Sequence, residues 1–456
     1  MSRKRTRRDF LRHTVYAGTS LWMLSTTGCE AFRMTARPRR ISPHEKLNIA
    51  GIGVGGQGHG DLKEFGEKCG QNIVALADVD HAQAANTFKL FPEAKRYWDF
   101  REMLDKQDKQ IDAVVVATPD HTHAVAAMAA MRMGKHVYVE KPLTHDVYEA
   151  RMLTQAARKY GVVTQMGNQG TADNALRTSV EIVRSGAIGP VREAHVWTNR
   201  PIWPQGIPYP PETPPVPSTL NWDLWLGTAP KRPYNPAYAP FKWRGWWDYG
   251  TGALGDMACH TANMAYMALR LGSPTSVEAE SSNDMHGASW PTWSIITYQF
   301  PARGELPPVK LVWYDGGDNK PAKALDAIRK FIPGEELPSS GSVVVGDKGI
   351  LYSAANYGEG FKLLPEKDFE GYTPPAPTLP RAPKGHYQEW VDACKGVGKP
   401  MSNFDYAGPL TETVLLGCVA LRAGEKIIWD GPRMKVTNCP KANDHIRREY
   451  RKPWTL

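Results

Sequence analysis

The sequence predicts an α/β protein: a doubly wound parallel sheet in the N-terminal part, then an α/β domain on a large, mostly antiparallel sheet. Three observations carry this. Short apolar runs alternate with helical patterns from Lys46 to about residue 168, the texture of parallel strands joined by crossover helices. A glycine cluster closes the first of these runs. Beyond about residue 170 the apolar residues of several runs alternate with polar ones, which suits strands with one solvated face. At 456 residues two domains are the natural expectation, with a leader and linker over 1–44, a first domain over 45–168 and a second over 169–456.

The leader is read first. TRRDFLR, Thr6 to Arg12, is a twin-arginine pattern followed by an apolar run from Thr14 to Leu24. That run is too short and too interrupted to span a bilayer. It resembles a Tat export signal, so the Tat machinery is an expected partner and the periplasm the expected location. Cys29, after Thr26-Thr27-Gly28, resembles a lipoprotein processing site and a point of lipid anchoring. The first 40 residues hold ten Lys/Arg against two Asp/Glu, leaving 46 against 45 in the remainder. The basic balance therefore belongs to the leader, and a nucleic-acid partner is not expected. The other five cysteines show no CxxC spacing, so neither a metal site nor a disulfide framework is expected.

KLNIAGIGVGGQGHGDL, Lys46 to Leu62, runs from a strand through the glycine cluster into a helix. Such a turn lets backbone approach a pyrophosphate at a helix N-terminus, as a dinucleotide requires. Two GxGxxG registers overlap, and Gly53/Gly55/Gly58 is preferred because it leaves Leu47, Ile49 and Ile52 inside the strand. Asn72 to Asp80 is a second strand, ending in Asp78, which stands 20 residues after Gly58. An acid there accepts hydrogen bonds from both adenosine ribose hydroxyls and repels a 2′-phosphate, which selects NAD over NADP.

Further along, residues 82–91 read as helix, 95–99 as a short strand, 100–106 as helix and Ile111 to Ala117 as an apolar strand. An Ala/Met-rich helix runs to Gly134, KHVYVE forms the next strand, a helix spans about Asp146 to Tyr160, and VVTQMGNQG closes the series. After a strand at VREAHVWTNR, eleven prolines between Pro201 and Pro236 exclude regular helix or central strand there. Their many Trp neighbours predict a packed loop, a lid or a subunit contact. DMACHTANMAYMALRL, Asp256 to Leu271, reads as one helix. TSVEAESS, WSIITYQF, PVKLVWYD, GSVVVGDKGILYS and GFKLLP then suit an antiparallel sheet. Two closing helices and a last strand, KIIWD, follow.

Chemistry is expected where strands end. TPDHTH, Thr118 to His123, follows the third long strand, and His123 is placed in a first helical turn near the cofactor; an HxH pair without further ligands does not make a metal site. Glu140-Lys141-Pro142 ends the strand KHVYVE. A lysine there can stabilise an alkoxide forming on a substrate carbon beside a nicotinamide. Asp256 and His260 stand at i, i+4, on one helical face, where a histidine can accept a hydroxyl proton and the acid can orient it. Trp243, Trp246 and Trp247 adjoin this motif; Trp247 is the aromatic expected to pack on a sugar.

With these residues assembled, the chain resembles the glucose–fructose oxidoreductase / inositol dehydrogenase / rhizopine catabolism (Gfo/Idh/MocA) family. The resemblance rests on IGVGGQG, ALADVD, ATPDHTH, GKHVYVEKPL, GTGALGDMACH, HYQEW and LTETVLLGCVALRAG in that order. It implies an N-terminal Rossmann domain, a C-terminal sheet that forms a homo-oligomer interface, and a sugar, cyclitol or related polyol as substrate. The family's lysine falls on Lys141 and its Asp/His pair on Asp256 and His260. Asn263 stands where relatives commonly carry Asp. Asn168 and Gln169 fall where relatives approach the nicotinamide or substrate. The residues expected to hold NAD are thus Gly53, Gly55, Gly56, Gln57, Gly58, Asp78, Thr118, Pro119, His123, Glu140, Lys141 and Asn168. Lys141, Trp247, Asp256 and His260 are expected to meet the substrate, with Lys141, Asp256 and His260 catalytic and either Lys141 or His260 the base. The expected activity is NAD(P)-dependent oxidation of a secondary hydroxyl. The alternative is a redox-assisted glycoside hydrolase, disfavoured by the EKP sequence from which one such branch departs. A non-catalytic sugar-binding protein is disfavoured by the three catalytic residues together.

Overall fold

Six short strands, five of them from apolar runs, pair into one sheet. In the computed structural model, which describes residues 37–456, they are β1 (Asn48–Ile52), β2 (Asn72–Ala77), β3 (Lys95–Tyr97), β4 (Ala113–Val116), β5 (His136–Glu140) and β6 (Thr164–Gly167). They lie in the order β3-β2-β1-β4-β5-β6, every pair parallel. β4 and β5 are buried at every position, which is why they read as unbroken apolar runs: helices cover both faces. The order reverses between β1 and β4, so a crevice opens beyond their C-terminal ends. The expected twin-arginine leader and Cys29 lie outside the described residues. Among the described residues no helix is long and apolar enough to cross a membrane.

The second sheet has nine strands. β7 (Val191–Trp197), β8 (Ser276–Ser281), β9 (Ser294–Phe300), β10 (Val309–Tyr314), β11 (Gly341–Gly346), β12 (Ile350–Ser353), β13 (Lys362–Leu364), β14 (Ile427–Asp430) and β15 (Lys435–Val436) lie in the order β13-β12-β11-β7-β10-β9-β8-β14-β15. Only β7 and β10 pair in parallel. The two-residue period sorts its side chains. Ala194, Val196, Leu311, Trp313 and Val344 join the main core, while Trp197, Val312, Tyr314, Val343 and Tyr352 form a second one. That second core is completed by Ala324 and Ile328 of the helix Ala322–Arg329, an element the sequence reading did not anticipate. Around β7, β10, β11 and β12 the chain therefore covers both faces of its own sheet.

Two helix expectations are revised. The proline-rich stretch does hold a helix, Trp222–Leu226, because the window between Pro217 and Pro230 is free of proline and the Asn221 side chain caps it. It packs Trp225 among Tyr238, Trp246 and Tyr249 in a separate aromatic core. The single helix expected from Asp256 starts earlier and is divided at Ala262, into Gly252–Thr261 and Asn263–Ala268.

The helix Asn174–Arg184, capped by Asp173, carries a buried carboxylate that anchors a distant segment. Glu181 accepts from the N–H groups of Thr378 and Leu379 at 2.6 and 2.7 Å and pairs with Arg381 at 2.5 Å. Burial pushes its carboxyl up, but Arg381 and the two N–H groups outweigh this and hold it down to about 2. An acid depressed on folding stabilises the fold above its unfolded pKa, and the contribution is lost as pH falls through the folded value. Glu181→Gln should cost about 2 kcal/mol at pH 7. In denaturant titrations the gap to the parent protein should close as pH falls from about 5 towards about 2.

Candidate active site

The turn after β1 fixes the site's geometry. Gly53 has φ of +73°, and a Cβ there would sit 2.8 Å from the Thr118 nitrogen; a Cβ on Gly58 would sit 2.0 Å from the Gly53 carbonyl oxygen. These two positions need the bare backbone, the first for the turn and the second for packing helix against strand. Gly51, the start of the other register, lies inside β1. The helix Gln57–Lys63 follows, so the register Gly53/Gly55/Gly58 places its N-terminus at the crevice.

A cavity of about 400 Å³ occupies that crevice. Gly53, Gly55, Gly56, Gln57, Asp78, Thr118, Pro119, Glu140 and Lys141 all line it, so nine of the expected cofactor residues converge. Gly58 is buried beneath the loop. Asp78 plays a role the sequence did not disclose. Its Oδ2 accepts from the N–H groups of Val54 and Gly55 at 2.7 and 3.1 Å, and its Oδ1 accepts from Asp80 at 2.8 Å. A carboxylate has about four acceptor positions. Three are taken, leaving room for one ribose hydroxyl rather than the two expected. Burial pushes this carboxyl up to about 6, against those three N–H groups.

At the other end of the cavity stands Lys141. Its peptide bond to Pro142 is cis, and its Nζ donates to Asp256 Oδ1 at 2.8 Å. Burial opposes the ammonium, but Asp256 and Glu140 outweigh it and raise the lysine above its ordinary value. The same Asp256 oxygen accepts from Arg244 Nε at 3.1 Å. Arg244 lines the cavity and packs against the rings of Trp243, Phe241 and Trp203 at 4.2, 4.9 and 5.7 Å. Two cations thus share one carboxylate, which they hold far below the usual range despite its burial. The helix carrying Asp256 is fixed by Asp120, whose Oδ2 accepts from Thr251 N and Oγ1 at 3.0 and 2.6 Å.

Beneath the loop lies a pair of buried carboxyls. Glu140 accepts from Gln169 Nε2 at 3.0 Å and Tyr138 Oη at 3.3 Å; Asp61 accepts from Gln57 Nε2 and Tyr387 Oη at 2.9 Å each. Burial and mutual repulsion push Asp61 up, and burial pushes Glu140 up to about 7.

Six expected residues are not brought to the cavity wall: Gly58, Asp256, His123, Asn168, Trp247 and His260. His123 is buried with both ring nitrogens on carbonyl oxygens, Pro142 at 2.8 Å and Thr118 at 2.7 Å. Held neutral by burial, it has one N–H to donate and so bonds one of these carbonyls, bracing a turn from behind the cavity wall. Asn168 spends its amide on the Cys259 carbonyl at 3.1 Å and on Ser402. Trp247 faces a different cavity, beside Trp290 and Arg422. His260 is buried with its ring edge-on to Tyr357 at 4.4 Å and its Nδ1 unpartnered; Asp256 bonds to Lys141 and Arg244, not to it. Asn263 is likewise buried, donating to Thr171 at 2.8 Å and accepting from Tyr406 at 2.6 Å. Among the described residues no group of three or more His, Cys, Asp or Glu could hold a metal.

Comparison with known proteins fits this geometry. Residues 47–168 match an oxidoreductase family's NAD-binding Rossmann fold, and residues 202–307 match the same family's C-terminal alpha/beta domain. The chain belongs to the Gfo/Idh/MocA oxidoreductase family. Its first domain is the family's NAD-binding Rossmann domain. Inositol 2-dehydrogenase of Salmonella typhimurium is 32% identical over 148 residues, covering 32% of this chain and 43% of that protein. Levoglucosan dehydrogenase of Pseudarthrobacter phenanthrenivorans is 27% identical over 190 residues, 42% of this chain and 40% of that protein. The matches thus span under half the length of these curated relatives. The WlbA dehydrogenase from Bordetella pertussis, solved with NADH and UDP-GlcNAcA, superposes with a TM-score of 0.58 over 86% of this chain and 99% of its own, at 16% identity. Likeness at that identity is one of fold.

The sequence reading missed Arg244, Asp120 and the Asp61–Tyr387 contact. A lone arginine inside a run of tryptophans was the available signal for the first. The others pair residues far apart in the chain.

Two outcomes follow from the Rossmann turn. Gly58→Ala should weaken NAD binding at least tenfold and cost about 2 kcal/mol, because the clash is with backbone and no side chain can yield; fluorescence titration and thermal unfolding measure both. NAD affinity should also fall as pH drops below about 6, where Asp78 takes up a proton and loses acceptor capacity. Asp78→Asn should flatten that dependence.

Proposed function

We propose that the protein is an NAD-dependent dehydrogenase oxidising a secondary hydroxyl of a sugar, cyclitol or related polyol. The observation that carries the reading is the charged Lys141 at the inner end of the NAD cleft, held by a carboxylate that Arg244 shares. Both named curated relatives are dehydrogenases of such compounds.

The glycine loop and the helix N-terminus behind it would hold the pyrophosphate, and Asp78 one adenosine hydroxyl while repelling a 2′-phosphate, which favours NAD over NADP. The bound nicotinamide supplies the acceptor for a hydride from the substrate carbon. Lys141, kept as an ammonium, donates to the substrate oxygen and stabilises negative charge developing there. An ammonium cannot take a proton, whereas burial and the charge of Lys141 hold His260 neutral, so of the two candidates only His260 can act as base, and to do so its ring has to turn from Tyr357 towards the cleft that it does not line here. We therefore assign His260 as the base and Lys141 as the electrostatic partner. Asp256 and Arg244 position Lys141.

Lys141→Ala should lower kcat roughly 100- to 1,000-fold with NAD still bound, and His260→Ala roughly 100-fold or more. Near-parental turnover in both would overturn the assignment. The twin-arginine leader supports an exported protein that keeps its NAD as a prosthetic group, and a homo-oligomer would have to use the part of the nine-stranded sheet that the helix Ala322–Arg329 leaves uncovered. Absorbance of the protein purified after export tests the first. Reduced nicotinamide appearing on addition of sugars or cyclitols supports the dehydrogenase, and sugar release without net reduction would replace it with a redox-assisted glycosidase.

A further inference from the structure

A second cavity, of about 230 Å³, shares no lining residue with the NAD cleft. It forms where His145, Trp247, Trp290, Arg422 and Arg448 converge from the turn after Pro142, the aromatic stretch, the helix Phe404–Ala423 and the C-terminal segment. Its walls concentrate buried polar atoms without partners. Both ring nitrogens of His145, Nε1 of Trp247, Nε of Arg422 and Nη1 of Arg448 are buried without a hydrogen-bond partner, while Nε of Arg448 faces Asp146 at 3.6 Å. Each such group costs free energy unless something meets it, and five around one space point to an occupant rather than to scattered defects.

The chemistry of the atoms says what that occupant must be. Indole and guanidinium N–H groups only donate, so it has to be rich in acceptors. The charges point the same way. Arg448 is shared between Glu149 at 3.1 Å and Asp146 at 3.6 Å. Of the other lining acids, Asp248 is engaged by Arg232 and Tyr209, while Asp444 and Glu449 lie exposed at the rim. Among the described residues Arg422 has no ion pair; its guanidinium lies over the Trp247 ring at 4.7 Å, and burial lowers its pKa. An uncompensated buried guanidinium calls for an anion. The volume corresponds to roughly seven waters, room for a six-carbon acid but not for a nucleotide.

We propose that this cavity is a second ligand site that binds a small organic carboxylate, received by Arg422, Arg448 and the Trp247 N–H, with Trp247 and Trp290 as its apolar wall. The ligand is distinct from the polyol substrate and its site is independent of the NAD cleft.

The test uses the full-length protein as purified, with adipate as probe, since it carries carboxylates but no hydroxyl for the active site to recognise. Adipate should raise the melting temperature saturably in the millimolar range, beyond sodium chloride at equal ionic strength, while adipamide should not. Arg422→Met and Trp247→Phe should each weaken the apparent affinity at least tenfold, and Lys141→Met should leave it unchanged. Trp247→Phe keeps an aromatic wall while removing the N–H together with the five-membered ring, so it provides a second, independent variant if Arg422→Met fails to fold. A shift no larger than with salt, or one that survives Trp247→Phe, would mean a water-filled cavity and overturn the proposal. A response lost in Lys141→Met would place adipate in the NAD cleft and overturn it equally.

Discussion

One carboxylate oxygen, Oδ1 of Asp256, holds the reactive end of the molecule together. It receives Lys141 from the end of β5 and Arg244 from the aromatic stretch, so the parallel sheet, the packed loop and the helix Gly252–Thr261 meet at a single atom. The arrangement is costly to assemble, because three ionised groups are withdrawn from water. It persists because the charges pair with one another, Arg244 lies among aromatic rings, and Asp120 clamps the start of the helix through Thr251. The surplus of one positive charge is what the role proposed for Lys141 needs and what a hydrophobic substitute could not provide.

How much of this is legible in the sequence depends on how far each feature relies on remote partners. The parallel sheet is readable because β4 and β5 are buried on both faces and leave unbroken apolar runs. The glycine turn is readable because its constraints, a left-handed φ and a helix packed on a carbonyl, act within six residues. Lys141 and Asp256 are identified by motif, but their pairing, 115 positions apart, is a tertiary fact. His123 misled because its helix is buried almost all round, so being one turn into it does not mean facing the ligand. Trp247 misled for a related reason: only Gly245 and Trp246 separate it from Arg244 in an irregular stretch, and the two line different cavities.

Asp78 shows a subtler limit. Position identified it as an acid near the adenosine end, yet three N–H groups already occupy it, two of them from the glycine loop itself. The acid therefore shapes the loop as well as selecting the cofactor, and the two tasks share a finite number of lone pairs.

The NAD cleft, although built on the first six strands, is finished by residues made much later. Tyr387 reaches back to Asp61 beneath the glycine loop, and Trp454 lines the cleft beside Phe100. During synthesis the strands of the parallel sheet leave the ribosome long before either residue exists. Until then a buried carboxyl lacks its phenol and the cleft lacks a wall. Full grip on the cofactor is thereby deferred to the closing moments of translation, which couples cofactor capture to a finished chain.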